Sequence, residues 1–144
     1  MGRQKLPQLA ALRKLAQAGD PNAQYEIGCV YFEGRGVRKS YVQALKWYRL
    51  AAAQGHNSGL CDVGYCYRNG LSVPQDFAKA IPYYQQAANQ GCPTGAYWLA
   101  SSYHHGEGVK QNLPQAEHWY KISCDRGDSD APQALKDLAA ERKK

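Results

Sequence analysis

AQYEIGCVYFEGRGVRKSYVQALKWYRLAAAQG, residues 23–55, recurs twice more without a gap, as GLCDVGYCYRNGLSVPQDFAKAIPYYQQAANQG (59–91) and GAYWLASSYHHGEGVKQNLPQAEHWYKISCDRG (95–127). Gly28, Gly64 and Ala100 stand 36 residues apart, and so do Tyr31, Tyr67 and Tyr103. The same step joins Gly34, Gly70 and Gly106, then Val37, Val73 and Val109, then Ala44, Ala80 and Ala116. It also joins Trp47, Tyr83 and Trp119, then Tyr48, Tyr84 and Tyr120, then Gly55, Gly91 and Gly127. Coincidence does not place so many matches in one register, and a period of this length marks a stacked array.

Each unit reads as two helices. Helix A runs from about Ala23 to Glu33, with Ile27, Gly28 and Tyr31 on one face at helical spacing. A Gly-Arg-Gly-Val loop ends it. Helix B starts after Ser40, Asp76 or Asn112, whose side-chain oxygens suit an N-cap. It continues through Ala44, Trp47, Tyr48, Ala51 and Ala52 to a glycine in the C′ position. Small residues let the helices approach closely, and the Trp and Tyr rings fill the gaps that remain. Stepping back one period from Tyr48, Ala52 and Gly55 reaches Leu12, Ala16 and Gly19, so residues 5–18 form a lone helix B. Stepping forward from Leu99 reaches Leu135, so residues 130–142 form a lone helix A. The expected fold is therefore all-α: an αα-superhelix, or solenoid, of three helix pairs (20–55, 56–91, 92–127) with a capping helix at each end, eight helices in all. Two departures stand out. Ser72 replaces the second loop glycine, and Pro82 falls inside the second helix B, where a kink is expected.

At these residues the chain resembles the Sel-one-like repeat family, a relative of the tetratricopeptide repeats. The resemblance rests on a helix A with small residues, a GxGV loop, and an A-x-x-WY-x-x-AA-x-x-G helix B. It implies a right-handed superhelix and a role as an adaptor in protein complexes, common in bacterial signalling, secretion, envelope and host-interaction systems. A cysteine-rich branch of that family pairs two cysteines in each repeat. Here Cys124 alone falls near such a position, without its partner.

Helix A has a second face, turned away from the core set at 100° per residue. It carries Tyr25, Cys29, Phe32 and Glu33, then Cys61, Tyr65, Arg68 and Asn69, then Tyr97, Ser101, His104 and His105, and finally Gln133 and Asp137. In a stacked array these positions are expected to line the inner curve. They vary from unit to unit while the core positions do not, as a tailored groove on a uniform scaffold would. Tyr and Arg are also favoured at binding hot spots. The competing reading is that some of these rings pack against neighbouring helices.

The remaining signals are mostly exclusions. His104 and His105 are adjacent on a helix and diverge by 100°, so they chelate poorly and read as polar groove residues. Cys29 and Cys61 could meet across neighbouring A helices, but stacked helices rarely give the spacing a disulfide needs. The Gly-x-Gly loops follow helices rather than strands and lack a third glycine, so no dinucleotide site is indicated. No catalytic constellation and no cofactor motif recurs. The five cysteines show no CxxC pattern and read as reduced thiols in a reducing, cytoplasmic compartment, or a periplasmic or secreted one had a signal been removed. No apolar run suggests a membrane span. Met1-Gly2 is not followed by the Ser or Thr of a myristoylation site, since Leu6 stands there.

Net charge is +6, and residues 1–68 carry all of the excess, with 10 Lys/Arg against 4 Asp/Glu. That suits an acidic partner or a steering field, or else a merely solvated surface, since no dense basic run exists. The groove set holds one Arg and no Lys, so no nucleic-acid partner is expected. The leading function is a non-catalytic scaffold that binds a protein or peptide in its groove. An inhibitor or immunity-type protein that blocks a toxin or enzyme is the alternative, and a regulator of an envelope enzyme has no residue support.

Overall fold

The computed structural model describes residues 6–144, with side chains from residue 8. Arg3, Lys5 and the expected first residue of the N-terminal helix lie outside them. Eight helices are present among the described residues: α1 (Leu6–Gln17), α2 (Pro21–Glu33), α3 (Tyr41–Ala53), α4 (Asn57–Asn69), α5 (Phe77–Asn89), α6 (Pro93–His105), α7 (Leu113–Asp125) and α8 (Ala131–Arg142). The even-numbered members are the A helices and the odd-numbered ones the B helices. Each helix packs on its neighbours in the chain, and α4 also touches α6, so the A helices form a layer of their own. The chain is an all-α helical-repeat superhelix. Among the described residues no helix is long and apolar enough to cross a membrane.

Local chemistry sets each boundary. The side chains of Ser40, Asp76 and Asn112 accept from the backbone N–H three residues on, at 3.1, 3.0 and 3.0 Å. Each satisfies one orphan donor of its B helix. The backbone N–H of the same three residues donates to the carbonyls of Tyr31, Tyr67 and Tyr103, which ties every loop back to its own A helix. Pro82, where a kink was expected, lies on the exposed side of α5, and the helix runs on to Asn89. Ser72 takes the place of a glycine at φ 61, in the left-handed region, and its hydroxyl donates to the Tyr41 carbonyl at 3.3 Å.

The core repeats with the helices. Tyr48, Tyr84 and Tyr120 are all but fully buried, on Ala44, Ala80 and Ala116 one turn earlier. The rings of Tyr48 and Tyr84 press on Gly28 and Gly64, where a Cβ would come within 2.5 and 2.6 Å of them. Burying a ring of this size contributes roughly 1.5–3 kcal/mol. It is the absent side chain on helix A that leaves it room. Trp47, Tyr83 and Trp119 sit half-buried at the outer seams. A clasp between units follows the same register: Gln54 donates to the Gly19 carbonyl, and Gln90 to the Gly55 carbonyl, each at 2.8 Å.

Candidate partner-binding face

On the A-helix layer, aromatic rings touch one another across all three pairs. Phe32 meets Tyr65 edge-on at 6.5 Å, and Tyr65 meets Trp98 at 6.4 Å. Trp98 meets Tyr97 at 5.3 Å, and Tyr97 meets Tyr120 at 5.9 Å. Behind Phe32 lie Tyr41 at 5.0 Å and Tyr48 at 6.3 Å. These separations fall in the range where rings attract through edge-to-face and tilted contacts. Part of the strip is open: Tyr65 is 37% exposed.

Between α2 and α4 the strip dips into a pocket of about 270 Å3. Its walls are the rings of Tyr25, Phe32, Tyr48 and Tyr65, with the Cys29 thiol and the Glu33 and Asp62 carboxylates among them. The Tyr48 hydroxyl donates to Cys29 Sγ at 3.7 Å, and Tyr25 lies 5.5 Å from Tyr48 and stacks on His56 at 4.9 Å. Burial pushes the Asp62 carboxyl up to about 6, against a pull the other way from the Tyr25 hydroxyl. Burial likewise raises the Tyr25 and Tyr48 hydroxyls and the Cys29 thiol, so all three are neutral at physiological pH. Clefts of about 700 and 390 Å3 lie beside α8 at the C-terminal end of the array, away from this face.

The residues expected on the groove divide into three groups, with Arg68 apart. Tyr25, Cys29, Phe32, Glu33 and Tyr65 come together around the pocket. Asn69, His105, Gln133 and Asp137 are exposed, and Tyr97 is half-buried against Trp98. Cys61, Ser101 and His104 are not groove residues, being only 5, 6 and 5% exposed. The neighbours of each explain the difference. Cys61 Sγ lies 3.9 Å from Cys92 Sγ at the start of α6. His104 is closed in by the C-terminal helix, with Nδ1 3.1 Å from the Tyr120 hydroxyl and Nε2 2.9 Å from Glu141 Oε2. Ser101 lies a turn away from His104 on the same face, next to Tyr120. Arg68 reaches the groove but is engaged there: it donates to Glu107 at 2.5 Å and lies over the rings of Trp98 and Phe77 at 5.0 and 5.4 Å. Among the described residues no group of three His, Cys, Asp or Glu could hold a metal.

The sequence profile of the Sel1 repeat matches residues 21–56, 58–92 and 93–128, most of the chain. This chain belongs to the Sel1 repeat family. Among solved structures it is similar to a protective antigen of uropathogenic Escherichia coli strains that displays an SLR fold, at 35% identity over 92% of this chain, with a TM-score of 0.88. It spans only 28% of that antigen's length. It is also similar to a Sel1 repeat protein from Oxalobacter formigenes, at 31% identity over 92% of this chain and 99% of that one, with a TM-score of 0.82. Helicobacter pylori cysteine rich protein B shares the fold, with a TM-score of 0.69 at 24% identity over 88% of this chain and 96% of that one. No curated protein matches. Sel1 repeats generally mediate protein–protein interaction and are typically non-catalytic scaffolds.

Two residues of the Sel1-repeat face escape a reading by sequence stripes. Asp62 and Trp98 occupy one register position, shared with Glu26 and Ala134. That position sits beside the groove stripe rather than on it. Its signal was the variation itself, Glu, Asp, Trp and Ala in successive units.

Proposed function

We propose that this Sel1-repeat chain is an adaptor that receives a segment of a partner protein along its A-helix face. One observation supports the reading above the others: the partly open line of aromatic contacts from Phe32 through Tyr65 and Trp98 to Tyr97. Aromatic side chains held by their neighbours contribute contact area at little cost in side-chain entropy, the quality that makes them binding hot spots. The opposite, B-helix side offers Lys46 and Arg49 in solvent, and there the exposed Val42 and Leu50 stand among charges.

The test is crosslinking. A benzophenone amino acid replaces Tyr65 in one protein and Lys46 in another, and both are irradiated in the native cell. The position-65 protein is expected to capture one dominant partner and the position-46 protein is not. Capture from position 46 alone would move the binding face to the B helices.

A further inference from the structure

We propose that the pocket walled by Tyr25, Phe32, Tyr48 and Tyr65 takes the basic side chain of a partner segment, an arginine above all, with Asp62 as its counter-ion. The inference rests on the A-helix face being the partner-binding face. Three kinds of observation carry it. The first is the ring geometry. Phe32 lies 6.3 Å from Tyr48 and 6.5 Å from Tyr65, and Tyr25 lies 5.5 Å from Tyr48, so the rings border one shared space. The faces of Tyr and Phe attract a cation electrostatically, more strongly once water is excluded.

The second is the charge. Among the described residues no Lys or Arg lines the pocket. Glu33 at its rim is already held by Arg35 at 2.9 Å. Asp62 makes no ion pair among the described residues, although it is half-buried and burial outweighs the pull of the Tyr25 hydroxyl on its carboxyl. A buried carboxylate without a cation is destabilising, and a chain that needed only a packed seam would do better with an apolar residue there. An arriving cation supplies the missing charge. An apolar side chain would bury Asp62 further with no compensation, and an acidic one would repel it.

The third is shape. A guanidinium is flat, stacks on rings and forks onto a carboxylate, so it suits a cup of aromatic walls with one carboxylate better than a compact ammonium does. The net charge of +6 over the whole chain points toward acidic partners. Within the pocket, where screening by water is least, the local carboxylate governs instead.

The probe is acetyl-Gly-Gly-Arg-Gly-Gly-amide, titrated into the isotope-labelled full chain and followed by NMR. Control peptides carry citrulline or glutamate in place of arginine. Shifts are expected at Tyr25, Cys29, Phe32, Asp62 and Tyr65. The citrulline peptide should bind at least about tenfold more weakly, and the glutamate peptide should leave these signals unmoved. Asp62→Asn should weaken arginine binding by a similar factor while raising the melting temperature, because an uncompensated charge has gone. Phe32→Leu keeps apolar volume but removes a π face, and should weaken binding severalfold. Equal binding of citrulline, undiminished binding to Asp62→Asn, a fall in that variant's melting temperature, or shifts confined to another face would each overturn the proposal. A crosslink at position 65 without arginine binding would fell the pocket and leave the face standing. Arginine binding with the crosslink at position 46 alone would overturn the face and, with it, the pocket's part in partner binding.

Discussion

Gly91 and Gly108 both hold positive φ, at 97° and 78°, yet an added Cβ would meet different surroundings. At Gly91 there is nothing within 4 Å, so alanine there should cost only its backbone strain, about 1 kcal/mol. At Gly108 the new atom would stand 2.5 Å from both the carbonyl carbon and oxygen of Phe77, and main-chain atoms cannot rotate away. Strain and overpacking together should cost about 2–4 kcal/mol. Urea unfolding of Gly91→Ala and Gly108→Ala checks the order; a larger loss at Gly91, or a gain in stability there, would refute it. The left-handed turn after helix B was legible in the repeat, since Gly55, Gly91 and Gly127 all have positive φ. Which of Gly91 and Gly108 is harder to replace was not. The period marks Gly91 as the central joint, but the tight spot is a loop glycine wedged on α5, and only the packing of one unit on the next puts it there. The groove shows the same limit. Tyr65 and Ser101 share a register position, yet one is exposed and the other buried, because their neighbours in the array differ.

The helices differ in how their first turns are satisfied. The B-helix caps are ordinary Ser, Asp and Asn and were readable as such. The A helices begin at a series that was not: Asp20 accepts from the Ala23 N–H, and His56 accepts through Nδ1 from the Gly59 N–H at 3.0 Å. His56 Nε2 then faces Asn22 Oδ1 at 3.0 Å, as the neutral tautomer with its proton on that nitrogen requires. Burial lowers the His56 pKa below its usual value. The unfolded chain therefore binds more protons at this group, and its contribution to stability is lost as pH falls below about 6.5. Asp62 acts oppositely: burial raises it to about 6, so its contribution grows as pH falls from there toward its ordinary range. Comparison with His56→Asn isolates the histidine, since asparagine still caps but does not titrate and Asp62 is unchanged. The variant should lose less stability than the parent between pH 7.5 and pH 5.5, measured by thermal or urea unfolding. Equal losses would show that the cap survives protonation.

For the whole molecule, contacts between successive helices make stability a sum of local terms. At the C-terminal end α8 closes the array: Leu138 is 1% exposed and joins the cluster of Ala100, Ala116 and Tyr120. Glu141 holds His104, and Arg142 pairs with Glu117. Ending the chain after Gly127 would bare that cluster. Hydrogen exchange should then quicken in α6 and α7 while α2 and α3 keep their parental protection. Uniform quickening along the chain would instead mean that the three pairs open as one cooperative unit.

The period by itself determined the helix count, the pairing, the loops, the B-helix caps and the Tyr-on-Gly core. Each of these depends on residues close in sequence or one repeat apart, and a repeat prints them in register. Tertiary structure decided the rest. It closed His104 under α8, set Cys61 against Cys92, took Arg68 for Glu107, and left Asp62 in an aromatic cup without a cation. Those outcomes depend on which side chains of the neighbouring units fill the space above each position. Neighbours across a stack vary from unit to unit even where the backbone repeats, so the period foretells where a residue stands and not what covers it.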